Sequence, residues 1–294
     1  NRGQVADYLG FQGLVENSYD AVCAADHMLE AASTVLVMAS NLSRFVYDLM
    51  LFASNEFGVL KLADGLVQIS SIMPQKRNPV ALEHLRAVLS RLMGRSTALF
   101  PLAHNVPFGD INDVGDDLQP MVEEVIQESY RALDLLNDVL GNVTFDVAVL
   151  ERRTRDGFAT VTEVADTLVR EAGLPFRQAH HVVTEFVTAL RAEGKTLPAA
   201  TLADLDAAAV KTIGRPSGLT DEAYRQATDP RVFIERRAII GGPAPREVRR
   251  AIKEAHAAIA AARKAVADHR SDIEAARSRM LAEAGALVQA QAPA

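Results

Sequence analysis

Residues 70 to 79 read Ser-Ser-Ile-Met-Pro-Gln-Lys-Arg-Asn-Pro, which places two hydroxyls, an ammonium, a guanidinium and two carboxamides within ten positions. Asparagine followed by proline is a helix-start signal. Asn78 suits the N-cap and Pro79 the first helical position, and Leu82, Leu85, Val88, Leu89, Leu92 and Met93 follow at helical spacing. The loop is therefore expected to end on a helix N-terminus. Unpaired backbone N–H groups there, the positive end of the helix dipole and the ammonium of Lys76 together suit a carboxylate or a phosphate. Ser70 and Ser71 stand upstream with hydroxyls to offer, and Pro74 and Pro79 restrict how far the loop can move. A solvated lysine ahead of a capped helix would account for the same residues, so the loop's composition alone does not decide between capture of an anion and a plain connection.

The elements that would position this loop read as helix throughout. From Ala21 to Phe57 there is neither glycine nor proline, and apolar residues recur at Met28, Ala32, Val35, Ala39, Leu42, Phe45, Leu49 and Phe52. A third apolar series runs through Val122, Val125, Ile126, Ala132, Leu133, Leu136 and Leu140. Long helices with such stripes bury them against one another, which predicts an all-α fold with a long-helix bundle over residues 1–143. A smaller C-terminal helical domain is expected over residues 144–294. Its helices fall at about 162–171, 177–193 and 202–213, each followed by glycine at Gly173, Gly194 or Gly214. An alanine-rich helix from Pro245 to about Ala292 follows, interrupted at Gly285. Neither strand alternation nor an internal repeat is evident.

Composition narrows the class. A formal charge of −7, from 31 Lys and Arg against 38 Asp and Glu, offers no concentrated basic face, so no nucleic-acid partner is expected. Cys23 is the single cysteine, which leaves no disulfide framework or thiolate cluster and fits a reducing cytoplasm. Charged and polar residues break the apolar runs, so neither a membrane span nor a cleavable leader is expected. His180 and His181 are adjacent, and adjacent helical positions point apart, unlike the i, i+4 pair of a zinc site, so packing and surface roles are expected of them rather than ligation. The first residue is Asn1 rather than Met, which reads as part of a longer protein.

The loop "SSIMPQKRNP" resembles the signature loop of the aspartase/fumarase superfamily, and its "MPQK" spelling is most similar to argininosuccinate lyase. "ENSYDAV" (16–22), "SRFVYDLMLFASNEFGVLKLAD" (43–64), "GFATVTEVADTLV" (157–169), "PFRQAHHVV" (175–183) and "DPRVFIERRAIIGGPAPREV" (229–248) resemble the same branch, so the similarity runs along nearly the whole chain. The resemblance implies a carbon–nitrogen lyase that cleaves an N-substituted aspartate by anti elimination into fumarate and an amine. Ser70 then matches the general base, Lys76 and Asn78 match the residues that stabilise the doubly charged aci-carboxylate, and Glu83 matches the carboxylate that pairs with a catalytic histidine. A plain ion pair with Arg86 is the other reading of Glu83. Ser71, Met73 and Gln75 are expected to contact the small dicarboxylate substrate. A homotetramer with shared active sites is also implied, and neither a metal nor an organic cofactor is.

Several positions depart from the branch. Ile69 stands where glycine is usual and Val80 where aspartate is usual. Residues 102–120, "LAHNVPFGDINDVGDDLQP", replace the stretch that grips a guanidino group: His104 stands for a tyrosine and no lysine matches. Asp110, Asp113, Asp116 and Asp117 there suit either a cationic amine or plain solvation. These departures keep open an aminopolycarboxylate (disuccinyl diamine) lyase, and beyond enzymes a non-catalytic, crystallin-like helical scaffold. None of the histidines present matches the family's catalytic one. The resemblance places that residue, and much of the carboxylate grip, ahead of Asn1, so the 294-residue chain is expected to be inactive alone.

Overall fold

The computed structural model describes residues 1–73 and 75–290. It divides into two compact units, Asn1–Asp146 together with the chain from Ala275 onward, and Val147–Glu274. The first unit holds α1 (Arg2–Leu9), α2 (Ser18–Cys23), α3 (Asp26–Ala53), β1 (Leu60–Leu62), β2 (Gln68–Ile69), β3 (Arg77–Asn78), α4 (Val80–His104), α5 (Gln119–Gly141) and β4 (Val143–Phe145). The second holds α6 (Val147–Asp156), α7 (Val161–Arg170), α8 (Phe176–Ala192), α9 (Leu202–Ile213), α10 (Asp221–Thr228) and α11 (Pro230–Arg236), and α12 (Pro245–Ala290) closes the described chain. The fold is all-α, with strands limited to short ribbons.

The core of the first unit is the packing of α3, α4 and α5. Along α3 the buried positions Ala32, Ala39 and Val46 fall seven apart, and the two alanines let α4 approach closely. From α4 come Leu82, Leu85, Leu89, Leu92 and Leu99, all fully buried, each worth about 1.5–3 kcal/mol relative to an exposed position. From α5 come Val125, Ala132, Leu136 and Val139. One charged residue lies in this seam: Glu128 of α5 is buried and pairs with Arg91 and, at 3.2 Å, with Arg95 of α4. An unpaired carboxylate would be costly there, so this pair selects the register of α4 against α5.

α3 has the length and, over an 18-residue window, the mean hydropathy (1.4) that a membrane-crossing helix requires, although the charges along it led to the expectation that no such run exists. Its Ala32, Ala39, Val46 and Leu49 contribute to the core that it forms with α4 and α5, as in a core helix. The expectation of no strand is also modified. β1 pairs antiparallel with β4, Leu60 opposite Phe145 and Leu62 opposite Val143, while β2 pairs with β3. The first ribbon is reinforced by Lys61–Asp146 at 3.2 Å and by the Ala63 amide donating to the Asn142 carbonyl. It ties the start of the 64–79 segment to the end of α5.

In the second unit, Leu168, Val182, Phe186, Leu190, Leu205 and Ala227 form the core. Gly173, Gly194 and Gly214 follow α7, α8 and α9 at positive φ, the left-handed backbone that glycine adopts without strain. Thr201 and Asp204 cap α9 reciprocally. α12 runs unbroken through Gly285, where an interruption was expected; alanine on both sides offsets the roughly 1 kcal/mol a mid-helix glycine costs. The stretch expected to be helical at 291–292 lies outside the described residues.

Glu163 of α7 is 2% exposed and accepts from Arg170 at 2.5 Å, Arg236 at 2.8 Å and Arg237 at 2.9 Å. Burial alone would raise its carboxyl pKa, but hydrogen bonds from Arg236, Arg170 and Arg237 outweigh it and hold the group below the usual carboxylate range. A depressed folded pKa contributes stability that is present above the unfolded value of about 4.3 and is lost as pH falls through the folded value. Calorimetry of Glu163→Ala is expected to show a loss of about 3 kcal/mol at neutral pH. Glu163→Gln should flatten the decline in melting temperature below about pH 4.5. An unchanged acid limb in that variant would assign the decline to other carboxylates.

Candidate active site

The signature loop is built as a hairpin. Gln68 stands opposite Asn78 and Ile69 opposite Arg77. Continued one step beyond the paired residues, the same register sets Ser70 opposite Lys76, the two positions assigned as base and cation. At the tip, the Lys76 amide donates to the Met73 carbonyl at 3.0 Å and closes a turn. The Ser70 hydroxyl oxygen accepts from the backbone amides of Ile72 and Met73, each at 3.2 Å. Two amide donors aimed at one oxygen favour its anionic form and so lower the cost of deprotonating it.

The hairpin runs directly into α4. Its helical residues begin at Val80 with Pro79 at the N-cap, and no side chain among the described residues caps the end. Asn78 is therefore not the N-cap, as its sequence position suggested. Pairing with Gln68 holds Asn78 in extended backbone, and the Pro79 carbonyl accepts from the Glu83 amide at 3.0 Å in its place. The positive end of a 25-residue helix thus faces the neck of the hairpin. Ser70 and Asn78 are half-buried, whereas Ser71, Met73, Gln75, Lys76 and Glu83 are exposed. No ion pair joins Glu83 to Arg86 among the described residues, which leaves the carboxylate open to another partner. Pro74, to which part of the loop's rigidity was ascribed, lies outside the described residues.

Arg77 was missed as a site residue, although it lies between two that were singled out. Strand alternation sets it on the face opposite Lys76 and Asn78. There its guanidinium donates to the Leu62 carbonyl at 3.1 Å and pairs with Asp64 at 2.7 Å. One arginine so fastens the hairpin to β1, and β1 is fastened to β4 and α5. The period-2 position of a cation among polar loop residues was the available signal.

Residues 102–120 lie at the other end of α4. His104 is the last residue of that helix, with its Nδ1 3.1 Å from the Pro101 carbonyl oxygen. Asp110, Asp113, Asp116 and Asp117 are all exposed, the latter two within a π-helical turn that leads into α5. At 1.5 Å per residue, α4 separates this stretch from the signature hairpin by about 37 Å. One chain therefore does not bring the two halves of the expected substrate grip together. His180 and His181 are exposed on α8, their ring centroids 6.4 Å apart.

Comparison with known proteins bears on this geometry. Residues 1–94 match a family model described as lyase, and residues 158–235 match one described as argininosuccinate lyase C-terminal. Argininosuccinate lyase 2 of Agrobacterium fabrum is 36% identical over 283 residues, covering 96% of this chain and 56% of that protein. Argininosuccinate lyase of Methanothrix thermoacetophila is 34% identical, covering 96% and 57% respectively. Among solved structures, a variant of EDDS lyase with bound fumarate superposes with a TM-score of 0.88 at 26% identity, over 98% of this chain and 57% of that one. The chain thus spans a little over half the length of these relatives. With a hairpin feeding a long-helix core, and matches to both a lyase and an argininosuccinate lyase C-terminal model, the chain is an argininosuccinate lyase-like member of the aspartase/fumarase superfamily.

Proposed function

We propose that this chain supplies the succinyl-binding hairpin of a carbon–nitrogen lyase, which cleaves an N-substituted aspartate of the argininosuccinate type into fumarate and an amine. The observation that carries the reading is the Ser70 oxygen beneath two backbone amides, set opposite Lys76 beside the positive end of α4. In this reading Ser70 takes a proton from the carbon beside the substrate carboxylate, and the released electron pair is held as an aci-carboxylate. Lys76, Asn78 and the α4 N-terminus stabilise that second negative charge more strongly than they do the ground-state carboxylate, which is the condition for catalysis. The pair then forms the carbon–carbon double bond as the carbon–nitrogen bond breaks on the opposite face, and the amine leaves with a proton from a general acid. Glu83 orients the histidine of that acid side, and Ser71, Met73 and Gln75 line the loop against the succinyl group.

The same reading includes a homotetramer with shared active sites. About 37 Å of helix between the hairpin and the 102–120 stretch requires that a site using both draw them from different subunits. Surface of the right kind is present: α5 leaves Ile126, Tyr130, Leu133 and Leu140 exposed at spacings of four, three and seven, Tyr130 by 63%. A cytoplasmic location is proposed from the lone cysteine. No organic cofactor or metal enters any step.

A second reading differs in the amine half alone. The superposition on EDDS lyase, together with His104 and four aspartates where a guanidino grip is expected, favours an aminopolycarboxylate such as a disuccinyl diamine. Fumarate release measured from argininosuccinate and from N,N'-disuccinyl ethylenediamine separates the two, and robust turnover of argininosuccinate alone removes the second.

In the enzyme that carries this chain, Ser70→Ala is expected to lower kcat by about 10²–10⁴-fold with a small change in KM. Undiminished fumarate production would show that another group is the base, and absence of turnover from either substrate in the parent enzyme would favour a helical scaffold. Arg77→Ala, which frees the hairpin from β1, is expected to reduce kcat by about tenfold while leaving the melting temperature within about 2 °C. Arg77→Lys should recover part of the loss; a purely structural arginine would instead move stability and leave turnover intact.

A further inference from the structure

From Ala251 to Ala275 every residue of α12 is helical and every one is exposed. A helix so placed would normally be polar all round, yet this one carries a ridge of Ile252, Ile259, Val266 and Ile273, 42–55% exposed and spaced by seven. The repeat continues through Met280 and Leu287. Alanine fills the positions beside the ridge on one side, at 251, 258 and 265 and again at 255 and 262. A strict seven-residue apolar repeat matches the 3.5 residues per turn of a left-handed supercoil, and small neighbours allow a second helix to approach closely.

The other flank is basic. Arg249, His256, Arg263, Arg270 and Arg277 also repeat every seven residues; the last four stand four positions after Ile252, Ile259, Val266 and Ile273, about 40° round the helix from the ridge. Arg249, Arg263 and Arg270 are in no ion pair among the described residues, although the helix does pair Lys264 with Asp268 and Arg250 with Glu254. The guanidinium groups of Arg249, Arg263 and Arg270, held beside an apolar seam, select a partner with carboxylates at the facing positions. A second copy crossing antiparallel would set one arginine row against the other. Nucleic acid fits poorly, because Glu254, Asp268, Asp272 and Glu274 share the same stretch and the isoleucine ridge has nothing to pack on.

We propose that Ala251–Ala275 is a docking surface for an amphipathic partner helix whose apolar seam is flanked by Glu or Asp at seven-residue intervals. This rests on α12 alone and is independent of the lyase reading. The test is fluorescence anisotropy of two labelled synthetic helices titrated with the full chain at physiological ionic strength. Both peptides carry the same leucine and alanine seam, one flanked by Glu and the other by Lys. The Glu-flanked peptide is expected to bind at least about tenfold more tightly. Arg263→Glu with Arg270→Glu should invert the preference, and Ile259→Ser with Val266→Ser should abolish both complexes. Because these positions are exposed, circular dichroism and melting temperature should stay near those of the parent chain in all variants. Equal affinity for the two peptides, or no binding, overturns the proposal. So does a dimer in sedimentation that the Ile259 and Val266 substitutions dissolve, which would give the seam to a second copy, or duplex DNA binding that those substitutions leave intact.

Discussion

The antiparallel pairing of Gln68 with Asn78 and Ile69 with Arg77 is the constraint on which the rest of the site depends. It is only two residues deep, and a ribbon of that length is not stable by itself. It persists because both its ends are anchored in something larger. β1, to which Arg77 is fastened, is paired with β4 at the foot of α5, and β3 passes without a break into α4. Since α4 and α5 share a core and the buried Glu128 pair, the hairpin inherits the rigidity of the bundle. The long helices are thus part of how Ser70 and Lys76 are held just beyond the paired strands, beyond being the body of the fold.

That arrangement has an electrostatic consequence. A serine hydroxyl in water is a poor base because its alkoxide is high in energy. Here the oxygen accepts two backbone amides, and the helix end and Lys76 add positive potential nearby. These donors are fixed by the chain's own hydrogen bonds, so orienting them costs little during the reaction. Arg77 contributes without adding charge to the site, because Asp64 neutralises it on the opposite face. The hairpin therefore separates its cations, with Arg77 used for attachment and Lys76 left exposed beside Ser70 for the role proposed for it.

The helices were legible because their signals are local. Apolar spacing marked α3, α4 and α5, and Gly173, Gly194 and Gly214 marked the ends of α7, α8 and α9 to within a residue or two. What was not legible was set at a distance. Asn78 carries a strong N-cap propensity, but its pairing with Gln68, ten residues away, outweighs it, and that pairing depends on β1 and β4 being already in place. Gly285 looked like an interruption because a single glycine is a breaker only where the surrounding propensity is weak, and here alanines surround it. Arg77 belongs with these: its alternation with Lys76 and Asn78 is visible in the sequence, but the Leu62 carbonyl that it reaches, 15 residues back, is not.

Two helices place large apolar residues in water, and they do so differently. α5 buries one face and leaves Ile126, Tyr130, Leu133 and Leu140 on another, the pattern of a helix shared between two cores. α12 between Ala251 and Ala275 buries no face at all, so its ridge cannot be the spare side of an element already packed. The first kind of surface adds to a bundle that already stands, and its loss would leave the α3–α4–α5 core intact. The second is held by helix propensity alone over roughly 37 Å, which alanine can sustain but which the isoleucines and valine do nothing to help. Four β-branched residues at strict heptad positions weaken an isolated helix and strengthen a paired one. Their presence in so alanine-rich a segment is what separates a helix suited to being covered from one suited to being solvated.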